Sequence, residues 1–124
     1  MTDDAPAPAT RRLVERGDGY DIVDNSTDGR YEAWLDGEPA GLIEYADEDG
    51  WLIFDHTEVF EAFEGKGVAS KLAKAALDDV RARNLYVNPQ CPFVTSYIKR
   101  HPEYRDLVVG IRDQPLAAGR RPGT

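Results

Sequence analysis

The sequence predicts an α/β (α+β) domain in which an antiparallel meander leads into a central helix, followed by a parallel strand and a second helix. Three observations predict it. Short β-type runs separated by Asp-Gly steps fill the first half of the chain. After Gly67 the apolar spacing changes from a period of two to that of a helix face. A brief apolar run, Leu85–Val87, then precedes a helical stretch headed by proline.

The elements follow in order. Tyr20–Asn25 is short and apolar at its centre. In Arg30–Asp36, Tyr31, Ala33 and Leu35 alternate with Glu32, Trp34 and Asp36. "DGEP" turns the chain into Ala40–Ala46, and "DEDG" turns it again into Trp51–Val59. Val68, Leu72, Ala75, Ala76 and Val80 mark one helix face, and Asp79 stands four before Arg83, the favourable order for a helix pair. Asn84 is suited to stop that helix, because asparagine tolerates the left-handed conformation. Leu85–Val87 is expected beside the fourth strand as a parallel neighbour. Cys91–Arg100 is expected as the second helix with Pro92 in its first turn, and Asp106–Val109 as a last strand or turn.

At 124 residues the chain fits one domain. Residues 1–10, acidic and then Pro/Ala-rich, and 113–124, punctuated by proline and glycine without periodicity, are expected as disordered tails, which leaves residues 11–112 as the folded domain. Fifteen basic against 23 acidic residues give a formal charge of −8, which argues against nucleic-acid or anionic-membrane partners. The single cysteine excludes an internal disulfide framework and fits a reducing compartment. No apolar run approaches a membrane span and no signal-peptide pattern opens the chain, so a cytoplasmic location is expected. No Cys/His cluster has metal-ligand spacing, so no metal is expected. Nothing in the sequence fixes an oligomeric state.

"EGKGVAS", Glu64–Ser70, places two glycines one residue apart at the start of the long helix. Strand, glycine turn and helix can bind a phosphate: free N–H groups converge at the helix start, and the macrodipole adds positive character. Lys66 adds a charge, and no Ser, Thr, Asp or Asn stands before the helix to cap it. A plain helix start, with the glycines serving a tight turn, accounts for the same residues. The spacing is neither a dinucleotide nor a nucleoside-triphosphate fingerprint.

Taken together, "HTEV" (His56–Val59), "GKGVASKL" (Gly65–Leu72), "ALDDVRAR" (Ala76–Arg83), "CPFV" (Cys91–Val94) and "YIKRHPEY" (Tyr97–Tyr104) resemble the small stand-alone members of the GNAT N-acetyltransferase superfamily. The resemblance covers roughly Tyr20 to Val109. It implies a GNAT-like fold, acetyl-CoA as cofactor, and acetyl transfer to an amine of a small molecule or protein. It places the diphosphate of coenzyme A over Gly65, Lys66, Gly67, Val68, Ala69 and Ser70, with the backbone of Val59 holding the pantetheine arm. One departure is that Glu64 stands where the superfamily's signature opens with Arg or Gln. Another is the absence of the N-terminal helices that shape an acceptor pocket in larger relatives.

Three side chains are candidates for chemistry. Cys91 precedes Pro92 at a helix start, where the dipole favours a thiolate able to take up the acetyl group and pass it on. The resemblance implies that role for the cysteine of "CPF", and a buried, purely packing thiol is the alternative. His56 can accept a proton from an attacking amine near neutral pH, or serve as a strand anchor. Strict alternation places Leu52, Phe54, His56 and Glu58 on one face, so Glu58 can orient His56 or take the proton itself. Tyr97 and His101 are expected in structural roles. A non-catalytic acyl-CoA-binding or interaction module is the alternative from a different class.

Overall fold

The computed structural model describes residues 11–108. The expected tails, and Val109 to Arg112 of the expected domain, lie outside those residues. Six strands form one sheet in sequence order. They are β1 (Arg11–Gly17), β2 (Tyr20–Asn25), β3 (Arg30–Leu35), β4 (Glu38–Glu48), β5 (Trp51–Val59) and β6 (Tyr86–Pro89). Pairing is antiparallel through β5, and β6 joins β5 in parallel. Helix α1 (Val68–Ala82) makes the crossover and α2 (Pro92–Arg100) follows β6. A 3₁₀ turn, Pro102–Leu107, ends in a parallel bridge between Val108 and Val87, so the last expected element is mostly a turn.

The Asp-Gly steps act as predicted. Asp36 and Gly37, with φ of 50° and 81°, form the positive-φ pair of a two-residue hairpin, and Asp49 and Gly50 repeat it at 34° and 105°. Asn84 leaves α1 in the left-handed region at φ 59°, while the Leu85 N–H reaches back to the Val80 carbonyl at 3.0 Å. Strand β1 was not among the expected elements. Its sequence, RRLVERG, carries three arginines, a glutamate and only two apolar side chains. A charged, bulged edge strand shows no alternation of its own.

Those arginines are spent on partners from other elements. Arg12 donates to Asp79 of α1 at 2.8 and 3.1 Å and to Asp24 of β2 at 3.0 Å. Tyr31 donates to Asp79 at 2.7 Å, Tyr45 to Asp24 at 2.6 Å, and Arg83 to Asp79 at 3.3 Å. Burial opposes ionisation of Asp79, and the Arg12 and Tyr31 hydrogen bonds outweigh it and hold its carboxyl below the usual range. The main core lies on the same side of the sheet as this cluster. There Ile22, Tyr31, Ile43, Leu52 and Phe54 pack against Leu72, Leu77 and Val80 of α1 and Val94 of α2.

Candidate functional site

The glycine turn has the backbone its sequence suggests. Gly65 and Gly67 sit at φ 82° and 76°, a region where a side chain costs about 1 kcal/mol or more. Gly67 is the N-cap of α1 and no side chain caps the helix. The first helical bond runs from the Lys71 N–H to the Gly67 carbonyl at 3.1 Å, so the N–H groups of Val68, Ala69 and Ser70 have no helical acceptor. Those three residues line a cavity of about 240 Å³ together with Val59, Glu64 and both glycines. A Cβ on Gly65 would meet nothing within 4 Å. The bare backbone therefore opens onto the cavity, and this fits a diphosphate. Glu64, from the same lining, opposes one. Lys66 does not line the cavity. Lys71, which the sequence did not single out, brings its Nζ to 3.9 Å from the position of a Gly67 Cβ and to 5.2 Å from the Tyr20 ring.

Gly41 sets the depth at which α1 begins. A Cβ there would lie 2.8 Å from the Glu58 carbonyl oxygen and 3.1 Å from Val68 Cγ1. The missing side chain lets the first turn of α1 rest directly on β4 and β5.

Strands β5 and β6 part at a definite point. Their last pair is Phe54 with Pro89, and the Phe54 carbonyl accepts from the Gln90 and Cys91 N–H groups at 2.9 and 3.0 Å. From Asp55 to Val59, β5 pairs with β4 alone. Cys91 is the N-cap of α2, is 2 % exposed, and has its Sγ 2.9 Å from Thr57 Oγ1.

The face of β5 changes partway along. Tyr45 pairs with Phe54 and Glu44 with His56, so Asp55 is an extra residue bulged out of the β4 register. Strict alternation is broken: Phe54 shares the core face with Thr57, and His56 and Glu58 project from the other. This corrects the expectation that Leu52, Phe54, His56 and Glu58 share one face. His56 Nε2 and Glu58 Oε1 are 3.5 Å apart, with both side chains about half exposed (55 % and 50 %). The structure thus brings His56 and Glu58 together and keeps Cys91 on the opposite face, while Val59 at the strand end reaches the glycine cavity. Tyr97 is buried and stacked on His101 at 4.0 Å, and His101 Nδ1 contacts the Tyr97 carbonyl at 2.9 Å, which accounts for both structurally.

The face that carries His56 and Glu58 holds a second cavity, of about 170 Å³, lined by Arg11, Arg30, Glu32, Trp34, Leu42 and Phe60 among others. Glu32 Oε1 accepts from Arg11 Nε at 2.7 Å and Trp34 Nε1 at 3.0 Å. Its Oε2 accepts from Arg30 Nε at 2.8 Å and Asn25 Nδ2 at 3.0 Å. Burial raises the Glu32 carboxyl, but these four hydrogen bonds prevail and lower it to about 2. The sequence held no signal for this cavity, because its arginines are far apart in the chain and lie outside any motif. Among the described residues no set of three or more His, Cys, Asp or Glu side chains is placed to hold a metal, and no helix is long and apolar enough to cross a membrane.

A family model described as GCN5-related N-acetyl-transferase matches residues 30–107, more than half of the chain. Protein NATD1 of Xenopus tropicalis is 45 % identical over 47 residues, covering 38 % of this chain and 43 % of that protein. Protein NATD1 of Danio rerio is 38 % identical over 56 residues, covering 44 % and 51 %. The chain thus spans about half the length of these relatives, or less. The solution structure of a GCN5-like protein from Staphylococcus aureus superposes with a TM-score of 0.54 at 22 % identity, over 83 % of this chain and 92 % of that one. At that identity the likeness speaks for the fold.

Proposed function

This chain belongs to the GCN5-related N-acetyltransferase family, and on that footing we propose that it binds acetyl-CoA over the glycine turn and transfers the acetyl group to an amine. The observation that carries the proposal is the set of uncapped amides of Val68, Ala69 and Ser70, residues that line a cavity beside the free end of β5. Those amides and the α1 dipole would hold the diphosphate. The unpaired edge of β5 near Val59 would hold the extended arm with backbone hydrogen bonds.

Acetyl-CoA, when bound, supplies an acetyl thioester. His56 and Glu58, three residues and one residue before Val59, are the groups that would accept the proton an attacking amine must lose as its N–C bond forms and the C–S bond breaks. A backbone N–H near Val59 would steady the developing oxyanion. Passage of the acetyl group through Cys91 requires that thiol to meet the thioester. Its burial behind Thr57 supports direct transfer instead.

Two measurements test this. Thermal unfolding with added CoA should move to higher temperature, since the ligand binds only the folded state. Acetyl-CoA with an amine panel should release free thiol, and Gly67→Val should lose both responses. Stabilisation by CoA with no thiol release for any amine would make the protein a non-catalytic acyl-CoA-binding module. Absence of both responses would overturn the assignment of the cavity.

A further inference from the structure

The cavity beside Trp34 lies on the same sheet face as the two proton acceptors, and the strand register says how far away. Across the sheet, Arg11, Asn25, Arg30, Glu44 and His56 stand in one row, and Glu32, Leu42 and Glu58 in the next. Directly paired residues share a face. His56 and Glu58 on β5 are therefore two strand spacings from Arg30 and Glu32 on β3, roughly 10 Å. Leu42 lies between, one strand from each end.

The far end of this track favours an anion. Glu32 is the one carboxylate in the cavity lining, and each of its oxygens already accepts two hydrogen bonds. Arg11 uses only Nε on it, and no other hydrogen bond to the Arg11 guanidinium is present among the described residues. Arg30 likewise gives Glu32 its Nε, while its Nη2 stands 3.8 Å from Asp28, a half-exposed carboxylate outside the lining. Arg11 lies over the Trp34 ring at 5.8 Å, and its terminal N–H groups are unused planar donors at the cavity, the geometry that takes a second carboxylate. Trp34, Leu42 and Phe60 make the walls apolar. The near end carries His56 and Glu58, with Glu44 one strand back between His56 and Arg30, and these suit a cationic amine.

We propose that this track is the acceptor site and that its substrate is an ω-amino carboxylate, whose amine is separated from its carboxylate by an apolar chain of about 10 Å. The proposal rests on the acetyl-transfer reading for the role of His56 and Glu58. Arg11 and Arg30 hold the carboxylate, the chain lies over Leu42, and the amine arrives between His56 and Glu58. In the reaction the amine nitrogen bonds to the thioester carbon, CoA leaves as the thiolate, and the amine proton passes to the His56–Glu58 pair.

The experiment uses the full chain and three probes: 8-aminooctanoate, octylamine, which lacks the carboxylate, and 4-aminobutanoate, which is too short. Binding is read by calorimetry and turnover by thiol release. The expected result is at least tenfold tighter binding and a tenfold lower KM for 8-aminooctanoate than for either other probe. Arg11→Gln and Arg30→Gln should each remove that advantage over octylamine. Arg11 is on the edge strand, so it serves should Arg30→Gln fail to fold by circular dichroism. Equal binding of 8-aminooctanoate and octylamine, or a preference that survives both variants, overturns the proposal. So does acetylation of octylamine with no gain from the carboxylate. Arginine-dependent binding of 8-aminooctanoate without turnover of any amine would support the site while removing the acetyl-transfer reading.

Discussion

Thr57 Oγ1 lies 2.9 Å from Cys91 Sγ, across the point where β5 and β6 part. The contact ties the N-cap of α2 to β5. A thiol engaged there and 2 % exposed fits a packing role. Cys91→Ala should keep acetyl transfer within about threefold of the parent and lose about 1 kcal/mol of stability. Intact mass spectrometry after acetyl-CoA treatment should show no adduct on Cys91. A stoichiometric acetyl adduct there, with turnover abolished in the alanine variant, would instead establish the two-step route.

Gly41 should be more sensitive than either loop glycine to a methyl group. Its added Cβ would strike the Glu58 carbonyl, which cannot step aside without moving β5, and the Val68 side chain. Gly41→Ala should cost about 1–3 kcal/mol by overpacking. It should also weaken CoA binding, because lifting α1 displaces the amides of its first turn. Gly65→Ala meets open space, so its cost is that of the left-handed backbone alone, about 1 kcal/mol. Urea denaturation of the two variants decides the order.

Glu64 lines the cavity proposed to take the diphosphate, where neutral or positive charge would serve better. At a solvated position a unit charge some 4 Å from a phosphate is worth about 1 kcal/mol. Glu64→Gln should therefore tighten CoA binding roughly fivefold at low salt, and the gain should fade at high salt as screening sets in. A titration series over ionic strength showing no change, or weaker binding, would mean that the carboxylate points away from the ligand.

Glu32 provides a pH signature. Its carboxyl is held at about 2 in the folded protein by Arg11, Asn25, Arg30 and Trp34, against the opposing effect of burial. A depressed carboxyl stabilises the fold above its unfolded pKa and loses that contribution as pH falls through the folded value. The stability difference between the parent and Glu32→Gln should thus be largest near neutrality, on the order of 3 kcal/mol. It should shrink between about pH 4.5 and pH 2. Paired guanidinium melts across that window check the sign, and a difference that grows on acidification would refute it.

Most of the fold was legible because its signals are local. Asp36–Gly37, Asp49–Gly50 and Asn84 each need a positive φ, and each residue type announces it. The uncapped glycine start of α1 is likewise written in seven consecutive residues. Strand β1 was hidden because its meaning is tertiary: Arg12 makes sense only once Asp79 and Asp24 are beside it. The cavity built by Arg11, Arg30 and Glu32 was hidden for the same reason. The placement of His56 failed differently. Period-two alternation is sound until a bulge inserts a residue, and Asp55 carries no mark of one.

That insertion gives β5 two opposite codes end to end. Upstream of Asp55, the even-numbered Leu52 and Phe54 are buried on the core face; downstream, the odd-numbered Thr57 and Val59 turn toward it and are half-buried. A saturation library scored for folding should show tolerance swapping parity at Asp55, and excising that one residue would leave His56 outward and Thr57 inward while restoring one unbroken alternation along the strand.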